Sequence, residues 1–304
     1  MKALKYTLIM CVLLFTIAPN FAQEAEGTSQ AIQINLKRPE PKPVIKPEPE
    51  PVQSSSFDVP VPAEMELANA HRYYALIMAV NDYVDPNITP LDEPINDATK
   101  FKDVLVTNYT FEEENIRFLK NPTYADMVIA FDKLSKEIRP SDFLLVFYAG
   151  HGYYNDQTEI GYWLPSDAAR DNTVQWFRNS ALVENMGAID SKHTLLISDA
   201  CFSGGIFKTR AAFNNANANI ADMLQRPSRK AITSGALTTV PDKSVFMQYL
   251  LKILEENNDK YLPTEVLFYE LALRMKYNSD TRPLYGEIKN VGDEGGNFVF
   301  IKRD

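Results

Sequence analysis

Thr194-Leu195-Leu196-Ile197-Ser198-Asp199-Ala200-Cys201-Phe202-Ser203-Gly204 is the stretch on which the reading of this chain turns. Its apolar run, Leu195-Leu196-Ile197, has the length and composition of a buried strand, and the small and polar residues at Ser203-Gly204-Gly205 turn the chain out of it. Cys201 therefore stands at the carboxyl end of a strand. In open α/β sheets ligands bind in the crevice outside those ends, so a thiol placed there can meet a substrate. The competing reading is a buried structural cysteine, since free Cys is among the most buried residue types.

A second stretch weighs against that alternative. Phe143-Leu144-Leu145-Val146-Phe147-Tyr148 is another apolar run, and it ends in Ala149-Gly150-His151-Gly152. His151 and Cys201 thus leave the same edge of one expected parallel sheet. A histidine after a strand can be a hydrogen-bonded structural residue, but flanking glycines let backbone amides approach a ligand closely. The 50 positions between His151 and Cys201 leave room for a strand, crossover and strand.

Tyr148-Ala149-Gly150-His151-Gly152 and Asp199-Ala200-Cys201-Phe202-Ser203-Gly204, taken together, resemble the caspase-like cysteine peptidases. The variant is that of metacaspases and their bacterial relatives, because Asp199 stands where animal caspases carry Gln. The resemblance runs from about Tyr73 to the C-terminus and includes Ile95-Asn96-Asp97-Ala98 and the closing Gly295-Gly296-Asn297-Phe298-Val299-Phe300. It implies a three-layer α/β caspase-like fold, a mostly parallel central sheet with helices on both faces. It also implies a Cys-His dyad with no third member. Cys201 would attack the peptide carbonyl, His151 would act as general acid and base, and the amides of Gly152 and Cys201 would form the oxyanion hole.

Substrate choice rests on two acids. Asp199 shares the face of Cys201 in an extended strand, by the period of two. Asp97 matches the family segment that supplies a second acid to the specificity pocket; read alone, it is an ordinary residue in the first turn of a helix. Two carboxylates in one partly dry pocket suit a guanidinium or an ammonium, so the expected partners are protein or peptide substrates with Arg or Lys at the cleavage site. Ala149 and Pro94 depart from the family, which often has Ser and Cys at those positions.

Calcium activation is a further family trait, but Asp156, Asp167 and Asp171 are too scattered to map an acidic cluster. No metal site is expected, because zinc wants three or four ligands and only His71, His151, His193 and Cys201 are on offer. His193, at a strand start, reads as structural.

Upstream, Met1 to Ala22 has Lys2 and Lys5, then an apolar run from Leu8 to Phe15, then Phe21-Ala22-Gln23, the order of a secretory signal peptide. Its apolar core is shorter than the roughly 20 residues of a spanning helix, so no stable membrane span remains after cleavage. The protein is expected to be exported, to the periplasm or outside the cell. Cys201 is then the sole cysteine, which excludes an internal disulfide. Residues 23–67, with Arg38-Pro39-Glu40-Pro41-Lys42-Pro43 and Lys46-Pro47-Glu48-Pro49-Glu50-Pro51, read as an extended proline-rich linker. The peptidase domain spans 68–304.

Within it, strands are expected at Tyr73 to Val80, Asn115 to Leu119, Lys230 to Gly235 and Phe298 to Ile301. Helices are expected at Leu91 to Val106, Thr123 to Ile138, Ser180 to Gly187, Ser244 to Glu256 and Thr264 to Tyr277. Alternating strand and helix gives a parallel sheet. The segment after Cys201 lacks a strong period and reads as a mobile loop. It carries Lys208, Arg210, Arg226, Arg229 and Lys230, which an enzyme specific for basic residues could cut in itself.

The net charge of −9 excludes a general nucleic-acid-binding role, which wants a basic footprint. Three functions stay open on sequence: an exported cysteine endopeptidase, a non-catalytic caspase-like binding module tethered by the proline-rich linker, and a peptide-ligating acyl transfer through the same acyl-enzyme.

Overall fold

The computed structural model describes residues 71–200, 206–210, 220–235 and 243–304, with 208–210 as backbone alone. The expected signal peptide at 1–22, the expected linker at 23–67 and Cys201 lie outside the described residues. In chain order the first half comprises β1 (Tyr73–Ala79), α1 (Pro94–Asn108), β2 (Phe111–Lys120), α2 (Tyr124–Glu137) and β3 (Phe143–Ala149). A small sheet follows, of β4 (Gly152–Asn155), β5 (Ile160–Trp163) and β6 (Phe177–Arg178), then α3 (Asn179–Gly187) and β7 (His193–Asp199). The remainder is β8 (Phe207–Arg210), α4 (Ile220–Gln225), β9 (Ser228–Thr233), α5 (Val245–Glu256), β10 (Tyr261–Pro263), α6 (Thr264–Lys276), β11 (Leu284–Ile288) and β12 (Val299–Ile301).

The main sheet has the order β2-β1-β3-β7-β9-β11-β8. Its first five strands are mutually parallel, and β11 runs antiparallel to both β9 and β8. β1, β3 and β7 are buried at every position, as strands covered on both faces must be. Alternate residues serve opposite faces. Ala75, Ile77, Leu145, Phe147, Leu195 and Ile197 join the core built with α1, α5 and α6. Leu76, Met78, Leu144, Val146, Tyr148 and Leu196 join the core built with α2 and α3. The edge strand β2 begins with exposed Glu112-Glu113-Glu114, charges that discourage a second edge from pairing there.

Local chemistry sets the helix ends. Thr123 and Asp126 form a reciprocal capping box at the start of α2. α1 opens on Pro94, and the Asn81 side chain, from the loop after β1, accepts from the Ile95 N–H at 2.9 Å. The Ser244 hydroxyl accepts from Met247 N–H at 3.1 Å and starts α5.

Three expectations are corrected. β2 extends well beyond Asn115 to Leu119, because Phe111 pairs with Tyr73 of β1 and the charged residues after it bulge across an irregularity in the register before pairing resumes at Ile116. The segment from 207 to 230 is not one irregular loop: β8, α4 and the start of β9 lie in it. Arg229 and Lys230 are therefore buried strand residues, 8% and 5% exposed, and not part of a basic loop. Each has partners in place. The Lys230 ammonium lies 3.0 Å from Asp293 and 3.6 Å from Glu287, and an Arg229 guanidinium nitrogen donates to the Lys192 and Ser228 carbonyls. Finally, β12 pairs with β10 in a separate two-stranded ribbon and not with the main sheet.

Candidate active site

The four central strands end together. Ala79 pairs with Ala149, Ala149 with Asp199, and Ser198 with Thr233, so β1, β3, β7 and β9 present their carboxyl ends at one edge. His151 is the second residue after Ala149, and Cys201 is the second after Asp199, the facing residue of the next strand. Cys201 is not among the described residues; Ala200, buried beside it in sequence, is the last before it.

The turn into His151 is tight. Gly150 adopts a φ of 155°, and a side chain there would place its first carbon 2.9 Å from the Tyr148 hydroxyl. A glycine is required on both counts. Beyond it, the backbone of His151 and one ring nitrogen are held. Its N–H donates to the Tyr83 hydroxyl at 2.9 Å, and its carbonyl accepts from Leu164 N–H at 3.0 Å and from the Tyr148 hydroxyl at 2.7 Å. The imidazole Nε2 lies 2.8 Å from the Thr89 carbonyl oxygen. A carbonyl only accepts, so this contact assigns the proton to Nε2 and leaves Nδ1 to exchange protons with reacting atoms. Gly152, partly exposed, opens β4 directly after the histidine.

The two sequence-predicted acids come together. Asp199 is 5% exposed, and among the described residues its Oδ1 has no hydrogen-bond partner. Burial pushes its pKa up to about 6; the nearby Ser244 and Ser234 side chains pull it down, and the negative charge of Asp97 adds to the rise. Asp97, in the first turn of α1, has Lys100 at 3.6 Å. The site thus has a desolvated carboxylate with a second carboxylate close enough to repel it.

The other candidates separate from the site. His193 is fully buried, stacks on Phe143 with ring centroids 4.4 Å apart and donates from Nε2 to the Leu224 carbonyl at 3.1 Å. Burial lowers its pKa to about 3, so it is a neutral core residue. Asp167 accepts from the Tyr124 N–H at the start of α2, Asp171 accepts from Asn172, and Asp156 is exposed in the β4–β5 turn. Among the described residues no three His, Cys, Asp or Glu side chains cluster as metal ligands. Among the same residues no helix is long and apolar enough to cross a membrane.

Sequence reasoning missed Thr89, Tyr83 and Tyr148. Thr89 acts through a backbone carbonyl, which every residue has, so no sequence signal marks it. Tyr83 lies 68 positions from the histidine it touches, and Tyr148 reads simply as the end of an apolar run.

The family model described as caspase domain matches residues 72–290. Among solved structures, caspase-1 from Spodoptera frugiperda superposes with a TM-score of 0.52 at 15% identity, over 72% of this chain and 87% of that one. A Geobacter sulfurreducens protein superposes with a TM-score of 0.52 at 17% identity, over 75% of this chain and 99% of that one. At such identity these are likenesses of fold. No curated protein matches the chain.

Proposed function

Because the chain belongs to the caspase-domain family, we propose that it is an exported, metacaspase-like cysteine endopeptidase that cuts after Arg or Lys through Cys201 and His151. One observation carries the reading: the register pair Ala149 and Asp199, at the ends of adjacent parallel strands, with His151 and Cys201 each two residues on.

In this mechanism Nδ1 of His151 takes the thiol proton as the Cys201 sulfur attacks the scissile carbonyl carbon. The carbonyl π bond becomes an oxyanion received by the amides of Gly152 and Cys201; one such donor is worth roughly 3 kcal/mol of barrier. The imidazolium is stabilised by Thr89, whose carbonyl holds Nε2–H. It passes the Nδ1 proton to the leaving amine as the C–N bond breaks and a thioester remains. Water, deprotonated by Nδ1, then attacks the thioester, releasing the acid and returning the proton to the thiol.

Preference for basic residues is supported by the state of Asp199. A buried carboxylate is expensive to ionise without a counter-charge, and a substrate guanidinium or ammonium supplies one with hydrogen bonds as well. Self-cleavage is narrowed to Lys208, Arg210 and Arg226, since Arg229 and Lys230 lie buried in β9.

The test is turnover of fluorogenic peptides ending in Arg, Lys or Asp by the wild type and by Cys201→Ala and His151→Ala, with and without calcium. Turnover of basic peptides only, lost in both variants, is the expected result. Folded, reduced wild type that turns over none of them, in either condition, overturns the reading in favour of a silent binding module.

A further inference from the structure

We infer that Tyr83 is a positioning residue for His151, and that residues 81–93 act as a clamp on the histidine through Tyr83 and Thr89. This inference rests on the proposed peptidase reading for its kinetic consequence, and on geometry alone for its structural one.

Both contacts come from one loop. The Tyr83 hydroxyl accepts the His151 N–H at 2.9 Å, and its ring lies against the imidazole with centroids 5.2 Å apart at 39°. Six residues later, the Thr89 carbonyl takes Nε2 at 2.8 Å. The first contact fixes the peptide plane that leads into His151, the second fixes the ring, and the face contact narrows the path between them.

The loop itself is tied shut. Leu91 N–H donates to the Asn81 carbonyl at 2.8 Å, and the Asn81 side chain donates to the Asp92 carbonyl at 3.0 Å. Its outer turn is latched to the β5–β6 connection: Arg170 N–H donates to Asp85 at 2.7 Å and its guanidinium to the Asn87 carbonyl at 2.9 Å. Ile88, next to Thr89, is buried in a satellite apolar cluster with Tyr162, Leu164, Ala168 and Trp176, against which Tyr83 packs. Leu164 of that cluster donates to the His151 carbonyl. The histidine is thus gripped by this small core together with Tyr83 and Tyr148, which pack in or against the main core built with α2 and α3. A catalytic base displaced by about 1 Å can lose about a hundredfold in rate, so a grip of this kind has a measurable effect.

The experiment compares full-length wild type with Tyr83→Phe, which keeps the ring and removes the hydroxyl. Tyr83 is half-buried, so the fold is retained, and thermal unfolding checks it. Tyr124→Phe, a tyrosine whose ring packs on Phe177, is the control. The kinetic readout is kcat against KM on the peptide turned over by wild type; the expected result is a fall in kcat of about tenfold or more with KM within about twofold. The second readout is the side-chain nitrogen spectrum of histidine-labelled protein, with the His151 signals assigned by their loss in His151→Ala. Wild type should show the Nε2–H tautomer, and Tyr83→Phe should move His151 toward mixed tautomers with faster Nε2–H exchange while His71 and His193 stay put. Unchanged kcat, or unchanged His151 signals, overturns the inference. If wild type turns over no peptide, the peptidase reading fails alone, and the nitrogen spectrum still decides the role of Tyr83.

Discussion

A carboxylate as buried as that of Asp199 is ionised only when pH or an incoming cation makes it so. With its pKa up near 6, it is largely neutral below that pH and charged above it. KM for arginyl peptides should therefore fall as pH rises through about 6, and Asp199→Asn should both flatten that dependence and raise KM about tenfold or more at neutral pH. A KM profile that is the same in wild type and variant removes Asp199 from the pocket. Gly150 gives a second prediction on the same scale. Its left-handed φ and the Tyr148 hydroxyl at 2.9 Å leave no room for a methyl group, so Gly150→Ala should cost about 1–3 kcal/mol of stability and displace His151. Denaturant titration and kcat measure the two effects separately.

Among the elements, α2 and β9 carry tests that leave the chemistry alone. The capping box at Thr123 satisfies donors at the start of α2 by bonds between Thr123 and Asp126, so Thr123→Ala should cost about 1 kcal/mol in denaturant titration with kcat/KM unchanged. β9 holds the buried Lys230–Asp293 pair, and Asp293 also accepts the Arg229 N–H at 2.7 Å. Asp293→Ala leaves a buried ammonium with only the longer Glu287 contact at 3.6 Å and should cost about 3 kcal/mol, whereas adding Lys230→Met to it should recover much of the loss. The strands show why some elements are legible and others are not. β1, β3 and β7 are continuous apolar runs, because both their faces are covered. β9, Ser-Arg-Lys-Ala-Ile-Thr, is just as buried, yet its charges are neutralised by β11 and the segment after it, partners more than 50 residues away. β11 itself, Leu-Tyr-Gly-Glu-Ile, has no clear period and owes its strand form to pairing with β9 and β8.

Over the whole molecule, the titration of buried groups sets how stability follows pH. His193 has its folded pKa depressed to about 3 from 6.5, so the unfolded chain binds a proton there that the folded chain refuses. Its contribution is fully present above the unfolded value and is lost as pH falls toward the folded one. Asp199 has the opposite sign: raised from 3.8 to about 6, it favours the fold below 3.8 and loses that contribution as pH rises through 6. The stability of wild type relative to His193→Gln should therefore increase with pH across roughly 3 to 6.5, by up to about 4 kcal/mol. Denaturant titrations of both proteins at a series of pH values measure it, and a constant difference would show that His193 is accessible to protons in the fold.

What this sequence determined by itself is the set of local signals: apolar runs long enough to be buried strands, helix periods, and the small residues around His151 and Cys201 that stop two strands where a site can form. These are legible because each depends on neighbours within a few positions. The tertiary structure alone decided the rest. It brought Asp97 and Asp199 close enough to repel, placed the Thr89 carbonyl on Nε2 and the Tyr83 hydroxyl on the histidine's N–H, and took Arg229 and Lys230 out of a loop into the core. A hydrogen bond or an ion pair between residues 60 or 70 positions apart exists only once the sheet has set its register. No pattern in the chain encodes it before that.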